Sequence, residues 1–211
     1  MADEKVRGID VSHFQGAIDW SAVAKAGSDF AFIKASDGMR GGDPMFATNW
    51  SQAKAVGLRR GAYHFFRTQQ DSERQAQQLL AMLGTDSGEL PPVLDFELLG
   101  EASPEQALAG AQRWMAIVEE SCGREPIVYT GPAFWSAMLR NSPVLSDHRL
   151  WIAHYTLASR PTLPSAWRDW TFWQYSEKGR VSGIHGPVDL DYFHGTMMEL
   201  DALCERIEQR A

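Results

Sequence analysis

The sequence predicts an α/β chain folded as an irregular, shortened TIM-like (β/α) barrel of about eight strands, the last of them antiparallel. Three observations carry that prediction. Apolar segments of strand length recur eight times along the chain. Helical patterns separate most of them, the alternation of a parallel sheet with helices packed outside it. Near the C-terminus the spacing collapses and the helical pattern drops out. At 211 residues the chain is also short against the ~250 of a typical (β/α)₈ barrel.

The expected strands cover residues 6–12, 30–36, 60–66, 93–97, 127–131, 150–155, 171–176 and 188–193. Between the first two, residues 18–26 place Trp20, Val23 and Ala24 at helical spacing. A helix over 45–56 is stopped by Gly57, and one over 72–83 by Gly84. The fourth helix has the clearest start. Ser103 reads as its N-cap, Pro104 as the first helical residue and Gln106 as the reciprocal cap, with Gly123 past its end. A shorter helix follows Pro132, and a last one is expected over 196–209. The stretch between Tyr155 and Thr171 carries Pro161 and Pro164 and shows no amphipathic pattern. Only eleven residues separate Ser176 from Val188, and three are glycine (Gly179, Gly183, Gly186). A parallel crossover needs a dozen or more residues, so the last strand is expected to reverse direction.

Composition narrows the class. Hydrophobic residues make up 44% and charged residues 22%, an ordinary globular mix, and one domain over 1–211 is expected. A net charge of −7, with both signs interspersed, argues against nucleic acid and anionic lipid as partners. No run of about 18 apolar residues occurs, so no membrane span is expected. Met1-Ala2-Asp3-Glu4-Lys5 has no apolar segment of a secretory signal. Cys122 and Cys204 have neither metal-ligand nor disulfide-scaffold spacing and read as free thiols.

The chemistry centres on Pro91-Pro92-Val93-Leu94-Asp95-Phe96-Glu97. On a strand Asp95 and Glu97 share a face, with Cα atoms ~6–7 Å apart. Like charges that close push their pKa values apart. Alone, such a pair is also compatible with a solvated strand end. In a parallel barrel, however, the C-terminal strand ends share one mouth. Asp10 ends the first strand. Asp189 and Asp191 begin a reversed last strand and so join Asp95 and Glu97. Lys34 is the nearby cation, or a plain ion-pair partner. Tyr63, Phe65, Tyr129, Trp151, Tyr155, Trp173 and Tyr175 lie near the same ends, either as core or as surfaces on which a sugar ring stacks. His13 and His64 stand near the acids without a metal-binding spacing, so no metal is expected.

Gly8-Ile9-Asp10-Val11-Ser12 with Gln15-Gly16 and Ile18-Asp19-Trp20 resembles the opening of glycoside hydrolase family 25, the Chalaropsis-type lysozymes. Phe32-Ile33-Lys34-Ala35-Ser36-Asp37-Gly38 resembles its second strand, Gly61-Ala62-Tyr63-His64-Phe65 its third and Leu94-Asp95-Phe96-Glu97 its acid-bearing fourth. Trp173-Gln174-Tyr175 and Val188-Asp189-Leu190-Asp191-Tyr192-Phe193 resemble its close, so the likeness spans about 7–193. The resemblance implies an N-acetylmuramidase that hydrolyses the β-1,4 bond between N-acetylmuramic acid and N-acetylglucosamine in peptidoglycan, as a monomer and without metal or organic cofactor. Glu97 would be the general acid, with Asp95, Asp10 and Asp189 completing the catalytic cluster. Lys34, Tyr63, Phe65, Tyr129, Trp151, Tyr155, Trp173, Gln174 and Asp191 would bind substrate. Asp37 stands where the family often has glutamate, and Asp191 where asparagine is common. Action on the cell wall is implied, by an export route the residues leave open. Two rival readings are a non-catalytic carbohydrate-binding barrel and a metal-dependent hydrolase using Asp10, Asp95, Asp189 and His64.

Overall fold

A computed structural model describes residues 5–205. Eight strands close into one barrel in chain order. They are β1 (Arg7–Val11), β2 (Phe30–Asp37), β3 (Arg59–Phe65), β4 (Val93–Asp95), β5 (Ile127–Thr130), β6 (Leu150–Ala153), β7 (Phe172–Gly179) and β8 (Val188–Phe193). Neighbours from β1 to β7 pair in parallel. β8 is antiparallel to both β7 and β1. Too few residues join β7 to β8 for a crossover, as expected from the glycine-rich connection, and β6 reaches β7 through a connection with no helix.

Outside the barrel lie α1 (Trp20–Lys25), α2 (Phe46–Ala55), α3 (Ser72–Leu83), α4 (Pro104–Cys122), α5 (Pro132–Met138) and α6 (Met197–Cys204). Both halves of the α4 capping box form. Gln106 N–H donates to Ser103 Oγ at 3.2 Å, and Ser103 N–H donates to Gln106 Oε1 at 3.0 Å. Gly123 closes that helix at φ 64°, a conformation glycine adopts without steric cost. α6 is shorter than expected: Glu205 turns to extended backbone, and residues 206–209 of the expected helix lie outside the described residues. Among the described residues no helix is long and apolar enough to cross a membrane.

Strand alternation sorts the core into two layers. Ile9, Val11, Ala31, Ile33, Leu94, Val128 and Ile152 face outward and pack with Val23, Ala53, Leu79 and Trp114 of the helices. Phe30, Phe32, Val93, Ile127, Trp151 and Phe172 face inward and plug the barrel. Phe32 stacks on Trp151 with ring centroids 4.3 Å apart and meets Phe172 edge-on at 5.0 Å. Glycine makes room for these rings: a Cβ at Gly8 or Gly61 would run into Phe30 or Phe32. The barrel is therefore packed with aromatic rings, and polar groups above them rest on an apolar floor.

Candidate active site

The barrel register assembles the acids. Asp10 on β1 is the direct cross-strand partner of Asp189 on β8. Because β8 is reversed, its first residues reach the mouth where the parallel strands end. Asp95 is the last residue of β4. The ladder stops two residues short of the expectation, yet Phe96 N–H still donates to Tyr129 O at 2.9 Å, so the chain keeps to β5. Phe96 packs outward into the helix layer. Glu97 and Asp95 line a hollow of about 380 Å³ together with Asp10, Asp189, Lys34 and Gln174.

Burial and mutual repulsion set the charge state. Asp10 is held well above the usual carboxylate range by burial first, then by the charges of Asp191 and Asp189, against a lowering hydrogen bond from Gln174. Burial also raises Asp95, with the charge of Glu97 adding to it and those of Lys34 and Arg67 opposing it. Asp95 Oδ1 is buried without a hydrogen-bond partner. Glu97 is more open to solvent. Its pKa still shifts up, through burial and the charge of Asp189, against Lys34 and Arg67. Asp189 is pushed up to about 6, mainly by burial. Such a cluster retains protons near neutrality, which a carboxyl needs to act as an acid.

Lys34 on β2 and Arg67 just after β3 are the compensating cations. The β2–β3 register slips between Lys34 and Ser36, and a bulge re-aims the side chains that follow it. Asp37, three residues after Lys34, comes within 3.4 Å of Lys34 Nζ. Arg67 grips Asp37 through two hydrogen bonds, from Nε at 2.7 Å and from an Nη at 2.9 Å. Lys34 Nζ also sits 4.9 Å from the centre of the Phe65 ring, an attractive placement for a cation.

Tyr63, Phe65, Tyr129, Trp151 and Tyr155 line the hollow, as the sequence reading expected. Tyr155 lies just past the end of β6 and is 49% exposed. Gln174 is a hub. Its Oε1 accepts from Tyr129 Oη at 3.0 Å and Tyr155 Oη at 2.8 Å, while its Nε2 donates to Asp10 Oδ2 at 2.7 Å.

Three expectations need correction. Trp173 alternates with Phe172 and Gln174 and so points out of the barrel, where its indole N–H donates to His154 O at 2.8 Å. It borders a separate hollow of about 640 Å³ with Trp170 and His194. That hollow lies at the opposite end of the barrel, beside the β6–β7 connection that lacks a helix, and none of the four acids reaches it. Asp191 faces inward but is fully buried beneath the mouth, with Oδ1 accepting from Trp151 Nε1 at 2.8 Å. It supports the cluster from below and does not border the hollow. His64 faces outward, hydrogen-bonded to Ser36 at 2.8 Å and Gln75 at 3.1 Å and stacked on Trp114. The ligand set of the metal-dependent alternative is therefore not brought together. His13 is tied to Asp43 at 2.6 Å.

Sequence reasoning missed Ser12, Phe14, Gln15 and Glu177, which also line the hollow. Their one signal was position: Phe14 and Gln15 follow closely on the strand that ends in Asp10. Glu177 gave none, because two irregularities in the β7–β8 register decide where it points.

A closed barrel with its acids gathered at one mouth, open to solvent and edged by aromatic rings, defines a glycoside hydrolase. The family model for glycosyl hydrolases family 25 matches residues 9–184, and the chain belongs to that family. An uncharacterised Escherichia coli K12 protein, YegX, is 38% identical over 213 residues, covering 99% of this chain and 76% of YegX. Lysozyme M1 of Streptomyces globisporus is 37% identical over 209 residues, 94% of this chain and 71% of its own. The crystal structure of a bacterial lysozyme from Streptomyces coelicolor superposes with a TM-score of 0.87 at 35% identity, covering 95% of this chain and 97% of that one.

Proposed function

We propose that this glycoside hydrolase is a lysozyme-type muramidase cutting the β-1,4 bond between N-acetylmuramic acid and N-acetylglucosamine in peptidoglycan, with Glu97 as general acid. The observation that carries the assignment is the convergence of Asp10, Asp95, Glu97 and Asp189, from β1, the end of β4 and β8, on one hollow.

Glycoside hydrolysis needs one protonated carboxyl and a second group that supports an oxocarbenium-like transition state. Glu97 suits the first role. It is the most open of the four acids, so a polymer can reach it, and its raised pKa keeps a proton on it. The proton passes to the glycosidic oxygen as the bond to the anomeric carbon breaks. Asp95 suits the second role. It lines the hollow beside Glu97, and when ionised its carboxylate faces the positive charge at the reacting carbon. Asp10, held by Gln174, and Asp189 line the same hollow and share its protons, adding negative field there only in their ionised forms. Such preorganised charge on an apolar floor acts more strongly than it would in water. Lys34, Tyr63, Phe65, Tyr129, Trp151 and Tyr155 form the walls against which the sugars rest.

One chain supplies every acid, so a monomer is the functional unit in this reading. The substrate places the enzyme's work at the bacterial cell wall, outside the cytoplasm. The test is release of soluble muropeptides from purified cell walls, with mass spectrometry of the new reducing ends. Reducing-end muramic acid is expected, and its loss by orders of magnitude in Glu97→Gln, whose fold is retained. A carbohydrate-binding barrel would release nothing, and near-normal turnover in Glu97→Gln would remove the acid from that residue.

A further inference from the structure

The rim of the hollow carries one side chain that protein packing does not explain. Phe14 is 80% exposed although it borders the hollow. It sits on the short 3₁₀ turn His13–Gln15, directly after β1. Exposed phenylalanines are unremarkable singly, but this one is carried on a turn locked at every residue. Ser12 N–H donates to Gln15 Oε1 at 2.9 Å and Phe14 N–H to Ser12 Oγ at 3.3 Å. His13 N–H donates to Asp43 Oδ2 at 3.1 Å, and the His13 ring bonds the same oxygen at 2.6 Å. Asp43 is itself almost wholly buried. The His13 ring then packs against Phe14, with centroids 4.1 Å apart. A ring so held loses little conformational freedom when a ligand covers it, so stacking is not offset by ordering.

Position in the barrel says what would cover it. Phe14 follows β1 and Glu97 follows β4, three strands apart around the eight-strand mouth. A glycan whose bond is cut at Glu97 must extend across the opening to reach Phe14. We infer that Phe14 is a stacking platform for the apolar face of a pyranose ring that flanks the scissile bond, making the His13–Gln15 turn a glycan-binding subsite. This rests on the muramidase reading for the identity of the glycan. Phe14 is a positioning residue: it touches substrate without touching the reacting atoms.

The experiment is a pair of measurements on Phe14→Ala and Phe14→Trp in the full chain. On isolated glycan strands, Phe14→Ala raises KM about three- to tenfold, with a smaller fall in kcat, and Phe14→Trp restores KM. Independently of turnover, co-sedimentation with insoluble peptidoglycan weakens by a similar factor in Phe14→Ala made on a Glu97→Gln background. The melting temperature changes little, because most of the Phe14 side chain is exposed and only the His13 ring packs against it. An unaltered KM and unaltered co-sedimentation in Phe14→Ala overturn the platform while leaving the muramidase intact. Should the unmutated enzyme release no muropeptides, the co-sedimentation comparison still decides whether Phe14 binds glycan.

Discussion

Gln174 donates its amide N–H to Asp10 Oδ2 at 2.7 Å, joining residues 164 positions apart in the chain. Two tyrosine hydroxyls on its other side fix which way the amide points. This one side chain therefore orients an acid of the cluster and two walls of the hollow together. Gln174→Ala should lower kcat/KM roughly tenfold to a hundredfold, about 1.4–2.7 kcal/mol of transition-state stabilisation. Gln174→Glu should be worse, since it places another carboxyl against Asp10. Steady-state kinetics on glycan strands checks both.

Asp191 depends on Trp151 in the same way. The indole N–H is its donor at 2.8 Å, and its other oxygen, Oδ2, has no hydrogen-bond partner. Removing that donor leaves a buried polar group unsatisfied, which costs about 1–3 kcal/mol. Trp151→Phe should therefore be destabilised by at least that much, since the substitution also trims the aromatic plug. In an Asp191→Asn background the cost should shrink. Urea denaturation of the four proteins gives the coupling directly.

Stability should respond to pH in two opposing ways. Asp189 has its pKa pushed up to about 6 from 3.8, so the folded state binds the proton more tightly. Its contribution is complete below about pH 4 and lost as pH rises through 6. His64 is buried in neutral form and lowered to about 4 from 6.5. Its contribution is present above pH 6.5 and lost as pH falls through 4. Asp189→Asn should remove the first effect, raising the melting temperature at pH 7 while reducing activity. Its melting temperature should then fall more steeply than that of the unmutated protein between pH 6.5 and 4. Calorimetry across that range reads both slopes.

Arg67 should set the alkaline side of the activity profile. Its charge lowers the pKa of both Asp95 and Glu97. Arg67→Ala lets Glu97 keep its proton to higher pH, so the alkaline limb of kcat/KM should move upward. A limb that stays in place, or moves down, would show that Arg67 does not act on the acid through its charge.

The local order of this fold was legible in the residues because its signals are local. The α3 bounds (Ser72–Leu83), the β8 bounds (Val188–Phe193) and the Ser103–Gln106 cap come from periodicity and capping chemistry acting within a few positions. The reversal of β8 was also legible, because eleven residues cannot carry a parallel crossover. Strand ends share a mouth, so position gathered five carboxylates, Asp10, Asp95, Glu97, Asp189 and Asp191, and the choice of four among them came from the family resemblance.

What the sequence determined was therefore the order and direction of the strands and the acids they deliver. Tertiary structure decided which way side chains point once strands stop or slip. Trp173 and Gln174 are neighbours in one motif, but barrel closure sends one ring outward and one amide to Asp10. His64 turns its imidazole to Gln75 on α3 for the same reason. The bulge that aims Asp37 at Lys34 and Arg67 is a property of paired strands. The proton-holding state of the cluster is likewise collective: each carboxyl is ordinary alone, and only shared burial over the aromatic floor raises them together.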